Sequence, residues 1–111
     1  MTGIPEIPDP NQYNELTTKG IRPVVVLFSA DWCGPCKFLH PTIEEIAGNF
    51  GKKAAFLAVD IEKHQELTAE QGVQSVPTVK VYNKGECVAT LVGARTKDDY
   101  ESILKPLVGA K

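Results

Sequence analysis

The chain has 111 residues, 42% of them apolar, a formal net charge of −2 and three cysteines. That length holds one sizeable core and is too short for two, so a single domain over residues 1–111 is expected. The charge offers no field to draw nucleic acid or an anionic membrane surface, and the longest apolar run falls far short of a membrane span.

At the N-terminus, Ile4 and Ile7 alternate with two prolines, which predicts no more than a short edge piece of strand over residues 1–8. Met1 to Glu6 has neither a basic region nor an apolar signal core. Three cysteines beside a sizeable core do not suggest a secreted disulfide scaffold. A reducing intracellular compartment, the cytoplasm, is expected, with an organelle-targeting segment lost by cleavage as the alternative.

Asp9 reads as a helix N-cap with Pro10 at the first position, Tyr13 and Leu16 as the apolar stripe and Gly20 as the stop. Five apolar residues follow, Val24 to Phe28, three of them β-branched. They predict a strand from Pro23 to about Ala30, buried on both faces as in a parallel sheet. Where it gives way, Trp32-Cys33-Gly34-Pro35-Cys36 opens a helix carrying Phe38, Leu39, Ile43, Ile46 and Ala47. That helix should end near Gly48-Asn49 and kink, rather than stop, at Pro41.

Ala54 to Asp60 predicts a second buried strand, and residues 63–71 a polar helix ended by Gly72. Thr78 to Tyr82 and Glu86 to Val92 alternate about Asn83-Lys84-Gly85 as a β-hairpin. Thr96 caps a last helix that turns Tyr100, Ile103, Leu104 and Leu107 inward despite Pro106. This order implies an α/β fold in which helices cover both faces of a central mixed sheet.

A helix beginning near Gly34 presents unpaired N–H groups and the positive end of its dipole to Cys33. Both favour thiolate over thiol, so Cys33 is the expected nucleophile. Cys36 returns on the same side of the first turn and can close a small disulfide ring with it. Pro35 suits that turn because its missing N–H would have had no partner. A closed zinc site needs four ligands, and Cys87, His40 and His64 are not paired at ligand spacing, so no metal is expected. A purely structural disulfide across so short a loop would constrain little unfolded-chain entropy. The redox reading is preferred.

Trp32-Cys33-Gly34-Pro35-Cys36-Lys37 after a hydrophobic strand resembles the active-site stretch of the thioredoxin family. The resemblance covers nearly the whole chain: Asp60 closing the next strand, Val76-Pro77-Thr78, the hairpin from Tyr82 to Glu86, and Val92-Gly93-Ala94. It implies a thioredoxin fold and a protein-disulfide reductase serving cell redox homeostasis and electron transport. Cys33 would attack a substrate disulfide, and Cys36 would resolve the mixed disulfide, leaving a Cys33–Cys36 bond. Gly-Pro between the cysteines resembles the reducing members, whereas oxidants and isomerases usually carry a histidine there.

The resemblance further implies that Trp32, Gly34, Pro35, Val76, Pro77, Gly93 and Ala94 form an apolar surface for extended substrate segments. By the same resemblance the Val76-Pro77 bond is cis. No cofactor would be bound; electrons would come from NADPH through a flavoprotein thioredoxin reductase. Substrates would be disulfide proteins such as peroxiredoxins or ribonucleotide reductase, and the chain would act as a monomer.

Leu27 departs from the family, most of whose members carry a buried aspartate there to take the proton of the resolving thiol. The lysine that accompanies it in many bacterial members is matched to Phe56. Leucine cannot relay a proton, which opens an alternative: a slow or redox-inert fold used as a binding module. His40, one turn after Cys36, could stand in as a base, but a solvent-facing helix position is the preferred reading. His64 is expected to be solvated, and Cys87 to be a small packed apolar residue rather than a regulatory thiol.

Overall fold

A computed structural model describes residues 4–7, 9–20 and 22–109. At its centre lies β1 (Val24–Ser29), parallel to β2 (Ala55–Asp60) on one side and antiparallel to β3 (Thr78–Asn83) on the other. The last strand, β4 (Glu86–Val92), pairs antiparallel with β3 and completes the order β2-β1-β3-β4. Beyond β2 the N-terminal segment adds the expected edge piece. Glu6 bridges Ala58, whose N–H donates to the Pro5 carbonyl at 2.9 Å, and the Ile7 N–H donates to the Ala58 carbonyl at 3.1 Å. Residues 1–3 and Pro8 of that expectation lie outside the described residues.

The continuous apolar run of β1 is explained by burial on both faces. Val25 and Leu27 point into one core with Phe56, Ala58, Val79, Val81 and Leu91 from the other strands. Val24, Val26 and Phe28 point into the opposite core with Leu57, Val59 and Tyr82. The first core is covered by α2 (Gly34–Phe50) and α4 (Lys97–Leu107), the second by α1 (Pro10–Lys19) and α3 (Gln65–Glu70). No helix among the described residues is long and apolar enough to cross a membrane.

Helix boundaries follow local chemistry. Asp9 caps α1, its Oδ1 accepting the Gln12 N–H at 3.0 Å, with Pro10 in the first turn. Gly20 ends that helix in extended backbone. A Cβ there would sit 2.6 Å from the Leu16 carbonyl oxygen, so close approach rather than handedness requires the glycine. At α4, Thr96 Oγ1 accepts the Asp99 N–H at 3.2 Å and Asp99 Oδ2 accepts the Thr96 N–H at 3.0 Å, a complete capping box.

Three sequence expectations need correction. Helix α2 does not end at Gly48-Asn49 but passes through Pro41 and Gly48 to Phe50, because Leu39, Ile43, Ile46 and Phe50 extend one buried stripe. Gly51, at φ 59°, supplies the left-handed stop and donates its N–H to the Ala47 carbonyl. Phe38 falls off that stripe and is 81% exposed. The polar helix is shorter than residues 63–71, because 61–63 form a turn and partly buried His64 is its cap residue.

The third concerns the hairpin. Its loop is the two residues Lys84 and Gly85, both at positive φ, which joins antiparallel strands without splaying them. Val81 pairs with Ala89 but Tyr82 pairs with Cys87, leaving Val88 as an extra residue. Strict alternation would have turned Cys87 to the face of Ala89 and Leu91. The bulge rotates it to the Tyr82 face at an uncovered edge, so Cys87 is exposed rather than packed.

Candidate active site

Pairing register gathers the site at one end of the sheet. Phe28 on β1 pairs with Thr78 on β3, and Thr78 with Val92 on β4. The segments leaving β1, entering β3 and leaving β4 therefore emerge side by side. They carry Trp32 to Cys36, Val76-Pro77 and Gly93-Ala94 respectively.

Cys33 is the N-cap of α2, in extended backbone, and its Sγ accepts the Cys36 N–H at 3.1 Å. A sulfur in this place occupies the position of a capping oxygen, beside the free N–H groups and positive dipole end of a seventeen-residue helix. Cys36 sits inside the first turn. The two are joined as a disulfide, Cα to Cα 5.3 Å. Exposure does not distinguish them, at 3% for Cys33 and 2% for Cys36. What separates them is position relative to the helix end.

Around the sulfurs, Ala30 is buried and Ile61 and Val76 pack against the pair. The Val76-Pro77 bond is cis. The Gly93 N–H donates to the Pro77 carbonyl at 2.8 Å, tying the β4 exit to the segment entering β3. Val76 and Gly93 are half-buried and Pro77 buried, whereas Gly34, Pro35 and Ala94 are exposed. Trp32 is 64% exposed, as a contact surface requires.

Sequence reasoning passed over Glu62, whose Oε2 accepts the Trp32 indole N–H at 2.8 Å and so orients the ring. Glu62 is itself placed by Asp60, whose Oδ1 accepts the Glu62 N–H at 2.9 Å and the Lys63 N–H at 3.4 Å. Nothing in the spacing of Glu62 from Trp32 could have signalled that contact.

Leu27 is fully buried in the apolar core. Its pairing partner on β2 is Ala58, and Phe56 pairs with Val25. Ala58 is small, and above it a cavity of about 140 Å³ opens beside Cys36. His40 lines this cavity and is half-buried, where the sequence reading had it facing solvent. Among the described residues, no three of His, Cys, Asp and Glu are grouped so as to hold a metal ion.

The thioredoxin family model matches residues 6–106. The mitochondrial thioredoxin of Bos taurus is 38% identical over 103 residues, which cover 93% of this chain and 62% of that protein. The thioredoxin of Bacillus subtilis (strain 168) is 36% identical over 88 residues, 79% of this chain and 83% of that one. Among solved structures, a thioredoxin of Malassezia sympodialis superposes with a TM-score of 0.86 at 29% identity, covering 96% of this chain and 93% of the other. A mutant thioredoxin from Halobacterium salinarum NRC-1 superposes with a TM-score of 0.85 at 28% identity, covering 96% and 91%. The chain thus spans less than two thirds of the length of the mitochondrial relatives it matches.

Proposed function

The chain belongs to the thioredoxin family, and from that premise we propose that it is a protein-disulfide reductase working through Cys33 and Cys36. The observation that carries the reading is a cysteine pair at disulfide distance whose first sulfur caps a helix N-terminus. In the reduced chain, the thiolate of Cys33 is favoured by the N–H groups it faces. It attacks one sulfur of a substrate disulfide, and the other leaves as a thiolate. Cys36 then attacks Cys33 Sγ, releasing the second substrate thiol and restoring the Cys33–Cys36 bond. Two electrons pass to the substrate.

Trp32, Gly34, Pro35, Val76, Pro77, Gly93 and Ala94 would hold the substrate segment. Exposed Trp32, Gly34, Pro35 and Ala94 beside half-buried Val76 and Gly93 suit an extended chain held by main-chain bonds and shape. Reduction of the spent disulfide would draw on NADPH through a flavoprotein thioredoxin reductase, with no cofactor bound to this chain. Substrates would be disulfide proteins such as peroxiredoxins or ribonucleotide reductase, met by a single domain acting as a monomer. The exposed, unpaired Cys87 suits a reducing compartment, and we place the chain in the cytoplasm. The binding-module alternative is not favoured, since both sulfurs are in place.

Reduction of insulin by dithiothreitol, read as precipitation of the freed chain, tests the activity. The wild type should speed precipitation and Cys33→Ser should not. A wild type without effect would leave only the binding module. Oxidation of NADPH in the presence of purified thioredoxin reductase tests the electron donor.

A further inference from the structure

Resolution of the mixed disulfide requires Cys36, a buried thiol, to lose its proton, and Leu27 offers no acceptor. The cavity beside Cys36 does. Four segments build it: α2 gives Cys36 and His40, β2 gives Ala58 and Asp60, the edge piece gives Glu6, and the turn after β1 closes it. At about 140 Å³ with polar walls it is roomy enough to hold water.

Each ionisable wall group can be weighed. Asp60 Oδ1 is already committed to the Glu62 and Lys63 N–H groups. Glu6 pairs with Lys63 at 3.5 Å. Asp31 and Lys37 are exposed to solvent. His40 has no hydrogen-bond partner among the described residues, follows Cys36 by four positions on one helix face, and opens into the same cavity. Imidazole is also the side chain suited to exchanging protons near neutral pH.

We propose that His40 is the proton acceptor for Cys36 in this chain, reached through water in the cavity beneath the helix, in place of a buried carboxylate. The inference rests on the reductase reading above. The Cys36 S–H proton passes by way of water to the imidazole, and the Cys36 thiolate attacks Cys33 Sγ. The bond from Cys33 to the substrate sulfur breaks, and its electron pair leaves on that sulfur, which takes up a proton from the imidazolium or from solvent. Cys33 and Cys36 end oxidised and the substrate reduced.

The test uses an aromatic disulfide whose two halves leave in turn as coloured thiolates, with Cys87→Ser as the parent so that no third thiol reacts. The first release reports attack by Cys33, the second resolution by Cys36. His40→Ala should slow the second release by roughly tenfold or more at neutral pH. The deficit should close as pH rises and hydroxide takes over, and added imidazole should restore the rate. His40→Gln, which fills the space but accepts no proton, should be as slow as His40→Ala. A second release with the parent's rate and pH profile in both variants would overturn the proposal, as would full speed in His40→Gln alone. If the parent itself released no second half, the reductase reading would fall first.

Discussion

Leu27 is where a single side chain decides most. It is fully buried between Ala58 and Val79, and a carboxylate there would have no partner. Leu27→Asp should lower the denaturant midpoint, with a loss of about 3–5 kcal/mol near neutral pH from lost packing and buried charge together. The introduced carboxyl has a folded-state pKa raised above its unfolded value of about 3.9. Below that pH both states are protonated and only the packing loss remains. As pH rises from the unfolded value towards the folded-state pKa, the unfolded chain alone releases its proton and the penalty grows, levelling off above the folded-state pKa. A midpoint difference that did not widen with pH would show that position 27 is wetter than its burial. The same variant should raise the resolving rate more in a His40→Ala background than with His40 present, since only then is an acceptor missing. Cys87, out on the bulged edge, should be alkylated in the native oxidised protein, and Cys87→Ser should leave turnover within about twofold.

Between elements, two hydrogen-bonded devices make separable predictions. The first joins α1, β3 and the end of α3. The Tyr82 hydroxyl donates to Gln71 Oε1 at 3.0 Å and is itself bonded to the Tyr13 hydroxyl. Burial first, and that bond second, push the Tyr13 phenol far above its ordinary range. Tyr82→Phe strands the buried Tyr13 hydroxyl and should cost about 1–3 kcal/mol, whereas Tyr13→Phe leaves Tyr82 bonded to Gln71 and should cost about 1 kcal/mol. Equal losses in urea unfolding would mean the chain of hydroxyls is not continuous. The second device is the α4 capping box. Hydrogen bonds from the Thr96 backbone, then its side chain, hold the Asp99 carboxyl below its ordinary value. A depressed folded-state pKa gives stability that is present above the unfolded value and lost as pH falls through the folded one. Acid should therefore loosen the α4 N-terminus, visible as faster amide exchange at its first turn, and Asp99→Asn should flatten that dependence. An unchanged pH response in Asp99→Asn would contradict it.

Across the whole molecule, what could be read in the chain was what neighbours in sequence decide. The apolar run of β1, the Asp9 and Thr96 caps, a hairpin turn about Asn83-Lys84-Gly85 and the cysteines at a strand-to-helix junction are each set within a few residues. What escaped depends on register between distant segments. The bulge that exposes Cys87 and the Trp32–Glu62 bond both arise from pairing or contact between distant segments. The cavity under Cys36 needs four segments at once, so His40 in isolation looked like a surface residue. Helix α2 ran past Gly48 because Phe50 found the core, which local helix-stop chemistry does not see. The central claim is that the sulfur capping α2 attacks and the sulfur inside its first turn resolves. Its most direct test is trapping: Cys36→Ser and Cys33→Ser, each in a Cys87→Ser background, are mixed at neutral pH with a disulfide-bonded protein and separated without reductant. Cys36→Ser should accumulate a covalent adduct on Cys33 while Cys33→Ser accumulates none. An adduct forming preferentially on Cys36 would contradict the account.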